Sequence, residues 1–268
     1  MSGASQHLTS VSKRARKDLE STMRKFAVDL HLHTALSPCA EEEMTPPAIL
    51  AQAAANGLQI IAITDHNTAG NTPAFFEAAS GGPVNVIPGM EVQTREEVHL
   101  ICLFAGPDEA LAWQEVVYAH LPPLKNSVRV FGSQQILNAA GEMIGTEDRL
   151  LLTSTDFSVE EAIAEVRARN GICYPAHVDR PAFSIIGNLG FIPPDLPIPV
   201  IEISRNINRA GVLAKFPALG RYPILGCSDA HRLAEISRAR SLVSLEEPTF
   251  AALVEAFWDR RQNRIEVD

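Results

Sequence analysis

The stretch Val28-Asp29-Leu30-His31-Leu32-His33-Thr34 sets two histidines two residues apart on an extended, largely apolar segment. Successive side chains of a strand alternate between faces, so both imidazoles project from one side and can reach one ion. Borderline metals such as zinc take nitrogen ligands of this kind readily. A histidine pair alone also occurs on ordinary half-polar strands, so the weight comes from further along the chain. Thr64-Asp65-His66, Glu91, His99, His177 and Ser228-Asp229-Ala230-His231 nearly all sit at or just beyond the end of an apolar run. Glu91 stands between Met90 and Val92, in surroundings where a carboxylate is costly unless paired or bound to a metal. Convergent side chains from separate elements are what a metal centre needs. The set exceeds the three or four protein ligands of one zinc. Two or three divalent ions (zinc, manganese or iron) are expected, with Glu91 as the bridging carboxylate.

The elements that must position these residues read as strands alternating with helices. Phe26–Leu32 is the first strand. Thr45 as N-cap, Pro46 and Pro47 in the first turn and Gly57 at the exit bound the first helix. Leu58–Thr64 is almost wholly apolar, as a parallel strand covered on both faces should be. Val84–Ile87 follows as a third strand, with Pro88-Gly89-Met90-Glu91-Val92 after it, where Glu91 is alternatively an exposed loop residue. Val98–Phe104 comes after so short a connection that it is expected to run antiparallel to its neighbour. Asp108 to about His120 is a helix. Leu121–Leu152 departs from the alternation and reads as an inserted hairpin or small lid, built from Gly141–Gly145 and Arg149–Leu152. Ser158 and Glu161 form a capping box for a helix to Arg169. Ile172–Ala176, Val200–Ile203 and Ile224–Cys227 are further strands, and Thr249 to Arg260 is the last helix. Such a pattern makes an α/β fold with the strand ends on one side. In barrels that side carries the active site.

Bulk properties set limits. A chain of 268 residues with 46% hydrophobic residues can fill one large core, and α/β barrels of about this size form single domains. Residues 1–22 read as a polar, locally basic tail, either solvated or a short nucleic-acid-binding arm, and 23–268 as one domain. A net charge of −9 argues against duplex nucleic acid, which favours basic surfaces. Cys39, Cys102, Cys173 and Cys227 show no paired spacing and read as free thiols of a reducing compartment. With no apolar run of membrane-span length and no apolar signal core, a cytoplasmic protein without a membrane partner is expected.

The ordered set Asp29-Leu30-His31-Leu32-His33-Thr34, Thr64-Asp65-His66, Gly89-Met90-Glu91, His99, Pro175-Ala176-His177 and Ser228-Asp229-Ala230-His231 resembles the PHP (polymerase and histidinol phosphatase) family over roughly residues 26–232. The resemblance implies a distorted (β/α)7, TIM-like barrel, up to three metal ions and hydrolysis of phosphoesters. It places His31, His33, Glu91 and Asp229 on a first ion. Glu91, His99 and His177 would hold a second, and His66 and His231 a third. Many members add a histidine or aspartate to the third ion shortly after the first histidine pair. This chain has Pro38-Cys39 and then Glu41, Glu42 and Glu43 there. Asp65 is expected to orient a ligand.

Metal ions lower the pKa of a bound water, making hydroxide available near neutral pH to attack phosphorus. Arg180, Arg205 and Arg232 follow strand ends and are candidate phosphate clamps, because guanidinium pairs with phosphate in bidentate fashion. Alternatively, each is a surface ion-pair partner. His231 or Asp179 is the candidate acid for the leaving group. The expected substrate is a small phosphorylated metabolite, a nucleotide or the end of a single-stranded nucleic acid. Two other readings remain open at this point: a metal-dependent amidohydrolase and a catalytically silent metal-binding module.

Overall fold

The computed structural model of the chain describes residues 23–236, 238, 240–259 and 264–268. The polar tail expected over 1–22 lies outside the described residues. Strands β1 (Arg24–Leu32), β2 (Ile60–Ile63) and β3 (Asn85–Gln93) pair in parallel, and helices α1 (Pro46–Ala55) and α2 (Thr72–Ala78) lie in the crossovers. In β2 successive side chains go to opposite cores. Ile60 and Ala62 join the larger apolar cluster, Ile61 and Ile63 a smaller one with Ile49, Ala53 and Phe75 of the two helices. That double coverage is why the segment reads as an unbroken apolar run. Thr45 does occupy the N-cap position of α1, with extended backbone, but its side chain makes no capping hydrogen bond.

The third strand is longer than its sequence suggests. Pro88 to Gln93 is not a loop, because β3 changes partners within itself. Residues 85–88 pair with β2, and Gly89–Gln93 pair antiparallel with β4 (His99–Leu103). Gly89 sits at the switch, where a Cβ would come within 2.4 Å of the Cys102 carbonyl oxygen. Glu91 is thereby carried on a paired, buried strand.

Helix α3 (Pro107–His120) leads to the segment over 121–152. There a short helix, α4 (Val128–Phe131), precedes an antiparallel hairpin of β5 (Gln135–Leu137) and β6 (Met143–Thr146). The hairpin is present, but its strands differ from those expected. Gly141, at φ +83°, lies in the turn, and the apolar run near Arg149 owes its character to burial of Leu150 and Leu151 rather than to pairing with Gly141–Gly145. The Gln135 N–H donates to the Ala35 carbonyl at 2.9 Å, and Asn67 Nδ2 to the Leu151 carbonyl at 2.8 Å. This segment is thus tied to the loops that follow β1 and β2.

Helix α5 (Val159–Ala168) carries the expected capping box: the Ser158 hydroxyl accepts from the Glu161 N–H, and the Glu161 carboxylate accepts from the Ser158 N–H. β7 (Ile172–Pro175) adds antiparallel to β4. After α6 (Ile185–Leu189), β8 (Ile201–Ile203) pairs in parallel with β9 (Ile224–Gly226) across α7 (Arg209–Lys215). β10 (Ser241–Leu245) and β11 (Ile265–Val267), which flank α8 (Phe250–Trp258), extend the sheet on the far side of β1. The main sheet therefore runs β11-β10-β1-β2-β3-β4-β7. Hydrogen bonds and bridges on both sides join the β8–β9 pair to it. The Val178 N–H donates to the Glu202 carbonyl at 2.8 Å, and Leu32 bridges Ala230 in parallel. The fold is mixed α/β, with a curled seven-stranded sheet. No described helix is long and apolar enough to cross a membrane.

Candidate metal centre

The histidines gather where the strands end. Nε2 of His31 and Nε2 of His33 approach each other to 3.2 Å, and Asp229 Oδ1 lies 3.2 and 3.1 Å from them. Glu91 Oε1 is 3.3 Å from His31 Nε2 and Oε2 is 3.5 Å from His33 Nε2. Around Glu91, His99 Nδ1 stands at 2.8 Å and His177 Nε2 at 3.1 Å from Oε1, and His66 Nδ1 at 2.9 Å from Oε2. The imidazoles of His33 and His231 stack at 4.1 Å. His177 and Asp229 both take positive φ, 29° and 51°. Non-glycine residues bear that strain where surrounding structure fixes them, commonly at functional sites.

The two histidines of β1 are oriented from behind. His31 Nδ1 faces the Glu202 carboxylate at 2.9 and 3.1 Å, which leaves Nε2 free to point at the cluster. His33 Nδ1 meets the Ser37 hydroxyl at 2.9 Å, and that hydroxyl donates to Asp65 Oδ1 at 2.7 Å. Asp65 also accepts from the N–H and hydroxyl of Thr34, both at 2.7 Å. It braces the loop after β1 and does not face the cluster. Glu202 is a residue the sequence reading missed. Its signal was a carboxylate inside the apolar run Val200-Ile201-Glu202-Ile203, and it is fully buried.

The electrostatics suit cations. Burial alone would raise the Glu91 pKa, but His99, His31 and His66 hold it well below the usual carboxylate range. Asp229 is likewise held down by His31 and His33 against the cost of its burial. Burial would lower the His31 pKa, yet Glu202, Asp229 and Glu91 hold it well above its ordinary value; Cys39 and Glu91 do the same for His66. The direction of these shifts is that of a site arranged to hold positive charge. His33 goes the other way, pushed down by burial and by its neighbours His231 and His66. For Cys39, burial pushes the thiol up, but His66 and hydrogen bonds with His231 and His66 bring it to about 6.

The donor set fits metal ions. Three groups have ligand atoms within 4.8 Å of one another: His31, His33 and Glu91; His66, Glu91 and His99; His33, His66 and His231. His66 falls between the expected second and third positions. Glu91 Oε2 and His177 Nδ1 lack a well-angled hydrogen bond although buried. For Glu91 the 2.9 Å contact with His66 is short enough, so the deficiency is one of direction. A cavity of about 600 Å³ opens onto the cluster.

The remaining candidates divide. Arg180 lines that cavity and pairs with Asp229. Arg205 pairs with Glu235 at 3.0 Å and Arg232 with Glu41 at 3.2 Å, and neither is among the residues lining the cavity. Both oxygens of Asp179 are taken by Ser204, which donates its N–H and hydroxyl at 2.6 Å. Asp179 thus fastens the end of β7 to the end of β8 rather than facing the cavity. His231 does face it.

Residues 29–168 match the model of the PHP domain. The chain belongs to the PHP family. Over 90 residues it is 34% identical to the 5'-3' exoribonuclease Rnm of Salmonella typhimurium, a stretch covering 32% of this chain and 30% of that protein. The fold is similar to the lesion-specific endonuclease Q of Pyrococcus furiosus, with a TM-score of 0.66 and 18% identity, covering 90% of this chain and 58% of the other. It is also similar to endonuclease Q in complex with a 27-mer duplex carrying an abasic lesion, with a TM-score of 0.64 and 17% identity, over 91% and 58% of the two chains. At these identities the structural likeness is one of fold, and this PHP chain spans only part of each relative's length.

Proposed function

We propose that this chain is a metal-dependent phosphoesterase that hydrolyses a phosphoester of a nucleotide or nucleic-acid end. The observation that carries the reading is the convergence of His31, His33, His66, His99, His177 and His231 on the carboxylates of Glu91 and Asp229, with Arg180 at the edge of the same cavity. Bound zinc, manganese or iron would supply Lewis-acid charge and a water of lowered pKa. His31, His33, Glu91 and Asp229 would hold one ion, Glu91 with His99 and His177 a second, and His66 with His231 a third. Glu202, Ser37 and Asp65 keep the imidazoles aimed. Arg180 would meet phosphoryl oxygens, and His231 would give the leaving oxygen its proton.

For the fold, the reading is a single domain over 23–268. Within it β1, β2, β3, β4, β7, β8 and β9 form a distorted seven-stranded barrel, closed by the Val178–Glu202 and Leu32–Ala230 links. The insertion over 121–152 serves as one wall of the site. An amidohydrolase centre with a strand-end lysine is not favoured, since among the described residues no lysine lines the cavity.

The net charge does not keep duplexes off the substrate range. Endonuclease Q was solved with a duplex bound, so the exclusion expected from charge alone is withdrawn. The test is a screen of the metal-loaded protein against phosphomonoesters, mononucleotides, short single-stranded RNA and duplexes with an abasic site. Turnover of none of these, with metal bound, would sink the proposal.

A further inference from the structure

His33, His66 and His231 present ligand nitrogens within 4.8 Å of one another, and the carboxylates that reach this corner, Glu91 at 2.9 Å from His66 and Asp229 at 3.6 Å from His231, also face the other ligand groups. The loop after β1 brings something else. Cys39 counts as exposed, yet it lines the cavity together with His66 and His231, whose imidazoles draw its thiol down to about 6. The carboxylates that follow it in sequence do not compete. Glu41 turns outward to pair with Arg232, and Glu42 and Glu43 are exposed. None of the three is among the cavity-lining residues.

The loop is held rather than hanging. The Glu41 N–H donates to the His231 carbonyl at 2.9 Å, and the Ala40 N–H to the Ser37 carbonyl at 2.9 Å. From the insertion, Gly132 at φ +102° comes so near that a Cβ there would meet the Pro38 carbonyl oxygen at 2.3 Å. The backbone on both sides of Cys39 is thus fixed relative to His231.

We infer that Cys39 is a ligand of a divalent ion shared with His66 and His231, which makes this corner of the centre a nitrogen–sulfur site. The inference rests on the metal-centre reading above. Coordination forms an S–metal bond, and the thiol proton leaves to solvent. Thiolate sulfur is soft, so the position would favour zinc, iron(II) or cobalt(II) over manganese or magnesium. A centre with oxygen and nitrogen donors elsewhere and sulfur here would then discriminate between ions position by position.

The test uses the full chain, stripped of metal and reloaded with cobalt(II). The expected spectrum contains a near-ultraviolet thiolate-to-cobalt charge-transfer band, lost in Cys39→Ser and absent from Cys39→Asp, while Cys39→Asp still binds the wild-type number of ions. Mass-spectrometric mapping of iodoacetamide labelling supplies an arm that needs no variant: Cys39 should be labelled in the stripped chain and protected in the zinc-loaded one. Two or more bound cobalt ions without the band, a band that survives in Cys39→Ser, or equal labelling of both forms would overturn the assignment and leave the metal centre standing. A chain that takes up no cobalt would overturn both.

Discussion

Arg180 Nη2 lies 2.7 Å from Asp229 Oδ2, while the other oxygen of the same carboxylate, Oδ1, faces His31 and His33. Asp229 therefore divides its two oxygens between a guanidinium and the metal-ligand cluster. A phosphate arriving at the centre would meet a cation already positioned beside the ligands and only partly covered by protein. Arg205 and Arg232, occupied by Glu235 and Glu41, have no such position.

Arg180→Ala should lower kcat/KM on the best phosphorylated substrate by roughly ten- to a hundredfold, as loss of a partly desolvated charge-assisted contact does. Arg180→Lys should recover part of it, because a point charge cannot reproduce the fork. Arg205→Ala and Arg232→Ala should stay within about twofold of wild type, in keeping with exposed ion pairs. Steady-state kinetics with metal content measured in parallel decides. Wild-type kcat/KM for Arg180→Ala would remove it from the site.

Glu202 sets the orientation of His31 from behind and also accepts from the His177 N–H at 3.3 Å. Glu202→Gln keeps the shape but loses the charge, so metal affinity should fall by roughly ten- to a hundredfold. Competition against a chelating dye measures this. If affinity is unchanged, the His31–Glu202 contact is structural only.

Metal binding should release protons. The neighbouring carboxylates and thiol that raise the pKa values of His31 and His66 favour the protonated rings in the metal-free chain, and only the deprotonated ring can bind an ion. Affinity should therefore rise with pH and weaken as pH falls. Calorimetric titrations in buffers of different ionisation enthalpy read the proton count directly, and identical heats in all buffers would contradict the scheme. Chelator treatment, His31→Ala and Asp229→Ala should each remove metal and activity together.

The capping box gives a stability prediction away from the site. Ser158→Ala should cost about 1 kcal/mol. The Ser158 N–H holds the Glu161 carboxyl below its usual value of 4.5. An acid with a depressed folded-state pKa contributes stability that is present above 4.5 and lost as pH falls through the folded value. The gap in urea midpoint between wild type and Glu161→Ala should therefore narrow as pH is lowered from about 7 to about 4. A gap that widens would place the effect elsewhere.

Much of this was legible in the sequence because ligands at strand ends follow apolar runs. β1, β2, β4 and β7 are marked by such runs, and His31, His33, His66, His99 and His177 sit on or after them. Glu91 was legible as a residue but not as a strand residue. Pro88 and Gly89 signal a turn locally, and only the partner switch against β4 makes them extended. α2, α6 and α7 are too short to show a helical period. β10 escaped although its burial alternates along Ser241–Leu245. The three arginines looked equivalent in sequence, since what separates them is the acid each one meets across the fold.

The bridge between Leu32 and Ala230 has a consequence for biosynthesis. His31, His33, His66, Glu91 and His99 leave the ribosome within one early stretch, on strands that pair with near neighbours in sequence. Asp229 and His231 arrive much later and dock beside the first strand. Until then a half-built centre would have Glu91 but lack Asp229. Such an intermediate would hold metal more loosely than the finished centre, which is complete only once the segment after β9 docks on β1.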